Sequence, residues 1–135
     1  MNWTYDGYIV DSIPEGMYGF IYKITYTDGT YYYGKKNFYS TAKKWLGKKE
    51  LALQTDKRLK KYKYVSKETK WQDYEGSSKL TKDLTISSKE ILAYAVSKIE
   101  LTYLETKCLF QTEALEDDLC RNENINGKWY KGNIT

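Results

Sequence analysis

The sequence contains no histidine and has only two cysteines and two arginines. The absence of histidine excludes histidine-based acid–base catalysis, Ser-His and Cys-His nucleophilic systems, and histidine-containing metal sites. Any metal ion must therefore be held by carboxylates, carbonyls and water, a donor set that favours Mg²⁺ or Mn²⁺. Cys108 and Cys120 lack the spacing of a metal site, so both are interpreted as reduced cysteines of a cytoplasmic protein.

Long apolar runs are also missing. No segment is therefore expected to span a bilayer, and the first residues do not resemble a signal peptide, so no membrane partner is expected. Of the 135 residues, 41% are hydrophobic and 30% are charged. This composition predicts a single globular domain over residues 1–135 rather than a disordered chain.

Tyrosine and lysine are abundant instead. The 15 tyrosines can serve hydrophobic cores and binding surfaces alike, because each joins an apolar ring to a hydroxyl. The net charge of +4 permits a polyanionic partner. Lysine contacts phosphate well but reads guanine less well than arginine does. Sequence-specific recognition by this chain alone is therefore not favoured.

Lysines are concentrated between residues 35 and 70, where acidic residues are few and tryptophans and tyrosines are interleaved. Part of this charge is interpreted as facing phosphates, and the rest as the solvated surface of a helix and loops. The basic residues predicted to contact nucleic acid are Lys36, Lys43, Lys48, Lys49, Arg58 and Lys79.

The clearest local pattern is a β-hairpin. Residues 18–26 are rich in β-branched and aromatic residues and predict a strand, Asp28-Gly29 predicts a turn, and residues 30–34 predict the return strand. Residues 90–96 predict a third strand, whereas residues 1–17 predict an irregular lead-in. The expected fold class is α/β, more narrowly α+β, with a small three-stranded, mainly antiparallel sheet flanked by helices.

Two helices are predicted after the hairpin. Ser78 is a candidate N-cap for a short helix over residues 79–84. Ser97, with Glu100 three positions later, has the pattern of a capping box. The apolar residues that follow have helical spacing, which predicts a helix over residues 98–115.

In the hairpin the chain resembles the GIY-YIG nucleases. Phe20-Ile21-Tyr22 and Tyr32-Tyr33-Gly34, on either side of the Asp-Gly turn, resemble the paired GIY and YIG motifs. Lys35 follows the second motif, as lysine does in many members. Asn37-Phe38, with Lys43-Lys44-Trp45 just beyond, resembles the start of the family's first helix.

Later segments extend the resemblance to residues 18–130. Those at 71–79, 104–107 and 122–129 resemble small phage-encoded, Seg-like homing endonucleases. A phage origin, and a location in the host cell cytoplasm, are implied by this likeness. Nothing in the sequence indicates an oligomeric state.

The resemblance implies roles for three acidic or phenolic residues. Glu105, inside the long predicted helix, would be the ligand of Mg²⁺ or Mn²⁺, with phosphate and water completing the shell. Tyr22 would be the candidate general base, and Tyr32 would position water or phosphate. Without the resemblance, both tyrosines could be ordinary half-buried strand residues, and Glu105 could face solvent.

Further roles follow from the same resemblance. Lys35 would neutralise phosphate or assist the base, and Asn124 would support the site by hydrogen bonding. Gly34 would let the backbone turn tightly beside the site. The alternatives are a surface turn for Lys35 and a turn-closing role for Asn124.

One position departs from the family. The first helix normally supplies an arginine that stabilises the phosphate in the transition state, and this stretch offers only Lys43 or Lys44, of which Lys44 is favoured. Arg58 could serve only if an insertion displaces the helix. Because lysine lacks the bidentate fork of arginine, weaker transition-state stabilisation is expected.

Three functional hypotheses follow. The first is a metal-dependent endonuclease that hydrolyses DNA phosphodiester bonds, with Glu105 facing Tyr22 and Tyr32 across a pocket bordered by lysines. The second is a catalytically weak or inactive nucleic-acid-binding protein on the same scaffold. The third is a phage protein that binds a host protein.

Overall fold

The structure is a computed structural model that describes residues 1–54, 58–76 and 81–134. The chain divides into two compact units, one formed by Met1–Phe38 and Lys70–Thr135 and the other by Tyr39–Thr69. The prediction of a single domain over residues 1–135 stays a prediction. None of the described helices is long and apolar enough to cross a membrane.

The elements of secondary structure are numbered in chain order. The strands are β1 (Thr4–Tyr5), β2 (Tyr8–Ile9), β3 (Gly19–Tyr26), β4 (Tyr31–Asn37), β5 (Tyr39–Trp45), β6 (Tyr62–Glu68), β7 (Ile86–Ala95), β8 (Asn124–Ile125) and β9 (Trp129–Tyr130). The helices are α1 (Lys48–Ala52), α2 (Lys98–Gln111) and α3 (Lys131–Ile134).

The first unit is built on a five-stranded sheet with the strand order β2-β1-β7-β3-β4. All neighbouring strands are antiparallel except β1 and β7, which are parallel. This mainly antiparallel α+β architecture confirms the predicted fold class. The predicted number of strands was wrong, since the sheet has five strands and not three.

The two additional strands lie in the segment predicted to be irregular. β1 and β2 are two residues long and are joined by Asp6 and Gly7, whose positive φ values of 50° and 85° form a tight turn. Such short strands carry no readable alternation of apolar and polar residues. The preceding residue, Trp3, is buried, and its indole nitrogen donates a hydrogen bond of 2.7 Å to the Trp71 carbonyl.

The predicted hairpin is confirmed as β3 and β4, although β4 continues to Asn37 and does not end at residue 34. Tyr22 lies opposite Gly34, and Asp28 accepts a hydrogen bond of 2.9 Å from the backbone N–H of Thr30 in the turn. The third strand is confirmed but begins at Ile86, earlier than predicted. The part of β7 before residue 90 includes Lys89, which is 2% exposed. The Nζ atom of Lys89 lies 4.4 Å from the ring centroid of Trp3. A buried lysine is rare, so the sequence does not reveal this part of the strand.

The long helix α2 is also confirmed. Ser97 accepts a hydrogen bond of 3.1 Å from the Glu100 N–H, and the Glu100 carboxylate accepts one of 3.1 Å from the Val96 N–H. The helix ends at Gln111 and not at residue 115, because Glu113 adopts a positive φ of 52°. Its inner face packs on the sheet through apolar side chains, which include Leu101 and Leu109.

The second unit is a two-stranded antiparallel ribbon of β5 and β6, and the chain forms α1 in the segment that connects the two strands. The prediction that Lys43-Lys44-Trp45 begins a helix was therefore wrong, because these residues lie in β5. Trp45 pairs across the strands with Tyr62, and their rings meet edge to face at 5.6 Å. Such cross-strand aromatic pairs stabilise a strand. The predicted cap at Ser78, and part of its helix, lie outside the described residues.

Candidate active site

The hairpin brings the two predicted tyrosines together. The ring centroids of Tyr22 and Tyr32 are 6.5 Å apart. Tyr22 is 1% exposed, and its ring lies over Gly34 on the neighbouring strand. The Tyr22 ring also meets the ring of Tyr74 edge to face, with the centroids 5.9 Å apart. Tyr22 therefore lies in the sheet's core, while Tyr32 lies partly exposed at the edge strand β4.

Both phenols hold their protons tightly. Burial, followed by the neighbouring Tyr74 and Tyr32, raises the pKa of Tyr22 far above the usual range for tyrosine. Burial and then the Glu105 carboxylate raise the pKa of Tyr32 to about 12. At neutral pH each hydroxyl is therefore a hydrogen-bond donor, and a phenolate would form only beside a cation. The role of Tyr22 as a base stays a prediction.

Glu105 and Tyr32 border the same cleft, which has a volume of about 400 Å³. The cleft is lined by Tyr32, Tyr33, Glu105, Leu109, Arg121, Asn122, Glu123, Asn124 and Asn126. The helix α2 supplies Glu105 and Leu109, the edge strand β4 supplies the tyrosines, and the segment around β8 supplies the amides. The structure thus brings Tyr32, Glu105 and Asn124 of the predicted site together, with the Tyr22 ring packed against Tyr32.

Glu105 is half-buried, and burial raises the pKa of its carboxyl group, although the nearby Lys35 ammonium opposes the shift. Lys35 is exposed, and its ammonium group donates a hydrogen bond of 3.0 Å to the Thr102 hydroxyl, on the helix turn before Glu105. Within the described residues, Glu105 makes no hydrogen bond and no ion pair within 4.0 Å. Its carboxylate is consequently available to a cation in the cleft.

The raised pKa of Glu105 has a measurable consequence for stability. The folded chain binds this proton more tightly than the unfolded chain, so the group's contribution to stability is full below the unfolded pKa and is lost as pH rises through the folded pKa. Glu105→Gln should therefore unfold at a higher temperature than the wild type at pH 7, and the difference should vanish below about pH 4. Thermal melts across this pH range, without divalent ions, measure the effect; an equal difference at every pH would contradict it.

A buried asparagine that the sequence analysis did not single out also supports the cleft. Asn122 is 6% exposed, and its amide oxygen accepts a hydrogen bond of 2.9 Å from the Tyr33 N–H. Its amide nitrogen donates one of 2.8 Å to the Tyr33 carbonyl. Asn122 thus makes the two hydrogen bonds to Tyr33 that a neighbouring strand would make at the outer edge of β4. Asn124, the predicted residue, is exposed and accepts a hydrogen bond of 3.1 Å from the Gly127 N–H.

An arginine that was not predicted for the site, Arg121, lines the cleft as well, whereas Lys43, Lys44 and Arg58 were the predicted replacements for the family's arginine. The Nε of Arg121 donates a hydrogen bond of 2.8 Å to the Thr30 hydroxyl, and one terminal nitrogen lies 2.9 Å from the Asp28 carboxylate. Arg121 therefore ties the hairpin turn to the segment that carries Asn122. The Asp28 carboxylate neutralises part of its charge.

Residues 3–134 match the family model described as "Putative endonuclease segE, GIY-YIG domain". The chain belongs to this family. Neither a curated protein nor a solved structure matches the chain significantly.

Membership in the Seg-type GIY-YIG family confirms the resemblance and extends it to both ends of the chain, since the match includes Trp3 and Ile134. Within the described residues, no group of three acidic or cysteine side chains is clustered as in a multi-carboxylate metal centre. Of the acidic residues at the cleft, Glu105 is half-buried and Glu123 is exposed. Glu105 is thus the better placed to hold an ion with support from amide oxygens.

The predicted basic contacts are divided between the two units. Lys36 lies in β4, with its ammonium group 4.5 Å from the ring centroid of Tyr74. The second unit carries Lys43 and Lys44 in β5, Lys48 and Lys49 in α1, and Arg58 after the helix. Lys79 lies outside the described residues. The catalytic role predicted for Lys44 stays a prediction.

Proposed function

We propose that this member of the GIY-YIG family is a metal-dependent endonuclease that hydrolyses DNA phosphodiester bonds at the cleft between α2 and β4. The observation that carries the proposal is the position of Glu105. Its half-buried carboxylate shares a cleft with Tyr32 and has no hydrogen-bond or ion-pair partner among the described residues. The family description, which names an endonuclease, supports the same reaction class.

The donor set of the cleft suits Mg²⁺ or Mn²⁺. Glu105 offers a carboxylate, and Asn126 and Asn124 offer amide oxygens at the same cleft. A single carboxylate holds such an ion weakly, so substrate phosphate and water would have to complete the shell. A bound ion would supply charge stabilisation to the scissile phosphate and the leaving oxygen.

The remaining residues would act on the phosphate and the attacking water. Lys35 is exposed beside α2, so its ammonium group can pair with a phosphate oxygen. The protonated Tyr32 hydroxyl can donate a hydrogen bond to phosphate or orient water. We assign Tyr22 the part of general base, which requires a nearby cation to lower its raised pKa. Asn122 holds the edge strand in place behind these groups.

Plasmid cleavage tests the proposal. Supercoiled plasmid should be nicked or linearised in the presence of Mg²⁺ or Mn²⁺, and EDTA should stop the reaction. Tyr22→Phe should lower the rate by about 10²-fold or more, because positioned acid–base groups typically contribute that much. Tyr103→Phe is a matched control, since Tyr103 is an exposed tyrosine of α2 that, unlike Tyr22, does not pack its ring against Tyr32 of the cleft. Failure of the wild type to cut DNA that it demonstrably binds would refute the proposal.

A specific observation favours the second hypothesis, a DNA-binding protein with weak or no cleavage. Lys43 and Lys44, predicted in place of the family's arginine, lie in the strand β5 and not in a helix. Arg121 is already engaged by Asp28 and Thr30. Salt-sensitive DNA binding without cleavage under either metal would support it. A phage origin and a host-protein partner stay predictions.

A further inference from the structure

The net positive charge of the chain comes from the second unit. Residues 39–69 contain ten basic and three acidic residues, a net charge of +7. Because the whole chain carries +4, the remaining residues carry −3. Such a separation of charge within a small protein is typical of a polyanion-binding element. Two acidic residues of the first unit, Glu105 and Glu123, line the cleft.

The ribbon of β5 and β6 has two chemically different faces. Directly opposed residues of an antiparallel pair project to the same side, and successive residues alternate between sides. One side, here called the lysine face, carries the pairs Lys44–Lys63, Ala42–Val65 and Ser40–Lys67. The other side carries the pairs Trp45–Tyr62, Lys43–Tyr64, Thr41–Ser66 and Tyr39–Glu68. The lysine face thus has three cations, small neighbours and no acidic residue of either strand.

The lysines of this face destabilise the ribbon when no anion is bound to it. Lys44 and Lys63 lie directly opposite each other, and like charges in that position destabilise a strand pair. The one ion pair of the lysine face in the described residues joins Lys63 to Glu50 at 3.7 Å, with both side chains about half exposed. An exposed ion pair of this kind contributes little to the stability of the fold. Every residue of β5 is exposed. A polyanion on this face would remove the repulsion between the lysines.

We propose that the lysine face of the β5–β6 ribbon docks on duplex DNA, with Lys63 and Lys67 as phosphate contacts beside Lys44. The inference rests on the proposed function for the choice of DNA. A two-stranded ribbon fits the major groove, which is about 12 Å wide. Lys63 and Lys67 are separated by four residues of an extended strand, or about 13 Å, so they can contact different phosphates.

The small side chains of the lysine face favour a duplex over a single strand. Ala42, opposite Val65, and Ser40, opposite Lys67, have small side chains that let the backbone of β5 approach a phosphate chain closely. Binding of single strands depends instead on aromatic rings that stack on bases, and the exposed rings of Trp45 and Tyr64 lie on the opposite side of the ribbon.

Salt-dependent binding of the full chain tests the proposal. A fluorescent duplex of 25 base pairs is titrated in EDTA, where no cleavage occurs, at several salt concentrations. K63Q/K67Q should bind roughly tenfold or more weakly near 0.1 M salt, and the slope of log K against log salt should fall by about 2. The single variant K67Q should lower the slope by about 1, half of the decrease in the double variant. Lys44 is kept, so its predicted catalytic role is untouched.

A matched control separates local contacts from net charge. K82Q/K98Q removes two exposed lysines of the first unit, neither of which lines the cleft, and changes the net charge equally. Its affinity and slope should remain within about twofold of the wild type. Equal losses in both double variants, or unchanged binding in K63Q/K67Q, would overturn the proposal, as would tighter binding to a single strand of the same length. Far-UV circular dichroism and K63R/K67R, which should retain binding, control for misfolding.

The outcomes for binding and cleavage are distinguishable. If the wild type binds duplex through Lys63 and Lys67 but never cuts it, the docking surface stands and the proposed nuclease function fails. If the wild type cuts DNA and K63Q/K67Q binds and cuts equally well, the nuclease function stands and the docking surface fails.

Discussion

Replacing Glu105 by glutamine is expected to abolish metal-dependent DNA cleavage, with a loss of roughly 10³-fold or more, since removal of one charge-stabilising group alone can cost that much. Glutamine keeps the size of the side chain but lacks the negative charge that holds a divalent ion. The rate of plasmid nicking under Mg²⁺ and Mn²⁺ measures the loss. A concentration series of each metal shows whether weaker metal binding accounts for it.

The cleft offers a control for this variant. Glu123 also lines the cleft but is exposed, so Glu123→Gln should keep most of the activity. Glu105→Gln should still bind DNA, because the lysine face lies in the other unit. Mn²⁺ should raise the melting temperature of the wild type but not that of Glu105→Gln. Full cleavage by Glu105→Gln, or an equal loss in Glu123→Gln, would show that Glu105 does not hold the metal.

Local sequence patterns predicted the elements that carry the site. The Asp-Gly turn, the aromatic strands and the Ser97–Glu100 capping box each depend on neighbouring residues, and the β3–β4 hairpin and α2 were confirmed. The pairing of Tyr22 with Gly34 follows from the turn, because its length sets the register of the hairpin. The juxtaposition of Glu105 with Tyr32 depends on tertiary packing, and only the family resemblance pointed to it.

The missed features depend on contacts between distant residues. A lysine-rich segment alone does not distinguish a helix from a ribbon, and β5 is a strand because it pairs with β6, whose paired residues begin 17 positions after β5 ends. Asn122 and Asn124 are two residues apart, so the motif alone could not decide which one is buried. The structure decides it, because only Asn122 reaches both backbone groups of Tyr33.

Gly34 shows how the structure revises the physical meaning of a motif. The sequence suggested that this glycine permits a tight turn, but Gly34 lies inside β4, where the backbone is extended. A Cβ atom at this position would lie closer than 3.0 Å to the Oη and Cζ atoms of Tyr22. The glycine of the second motif is therefore required by the tyrosine of the first, whose ring covers it across the hairpin.

Gly34→Ala should accordingly destabilise the fold by about 3 kcal/mol, at the upper end of the usual cost of overpacking a core. Tyr22 cannot move aside easily, because it is 1% exposed and its ring packs against Trp3 and Tyr74. Urea denaturation measures the change. Cleavage should fall as well, since any shift of Tyr22 disturbs its contact with Tyr32.

A double-mutant cycle identifies the cause of that loss. Tyr22→Leu removes the overlapping atoms, so Gly34→Ala should cost clearly less in the Tyr22→Leu background than in the wild type. Gly132→Ala is the matched control, because a Cβ at Gly132 would meet nothing within 4 Å and its φ is not positive. It should not destabilise the fold, and because Gly132 lies in α3 it should stabilise it by at most about 1 kcal/mol. Strictly additive effects of Tyr22→Leu and Gly34→Ala would mean that the ring does not require the glycine, and the pairing of the two motifs would need another explanation.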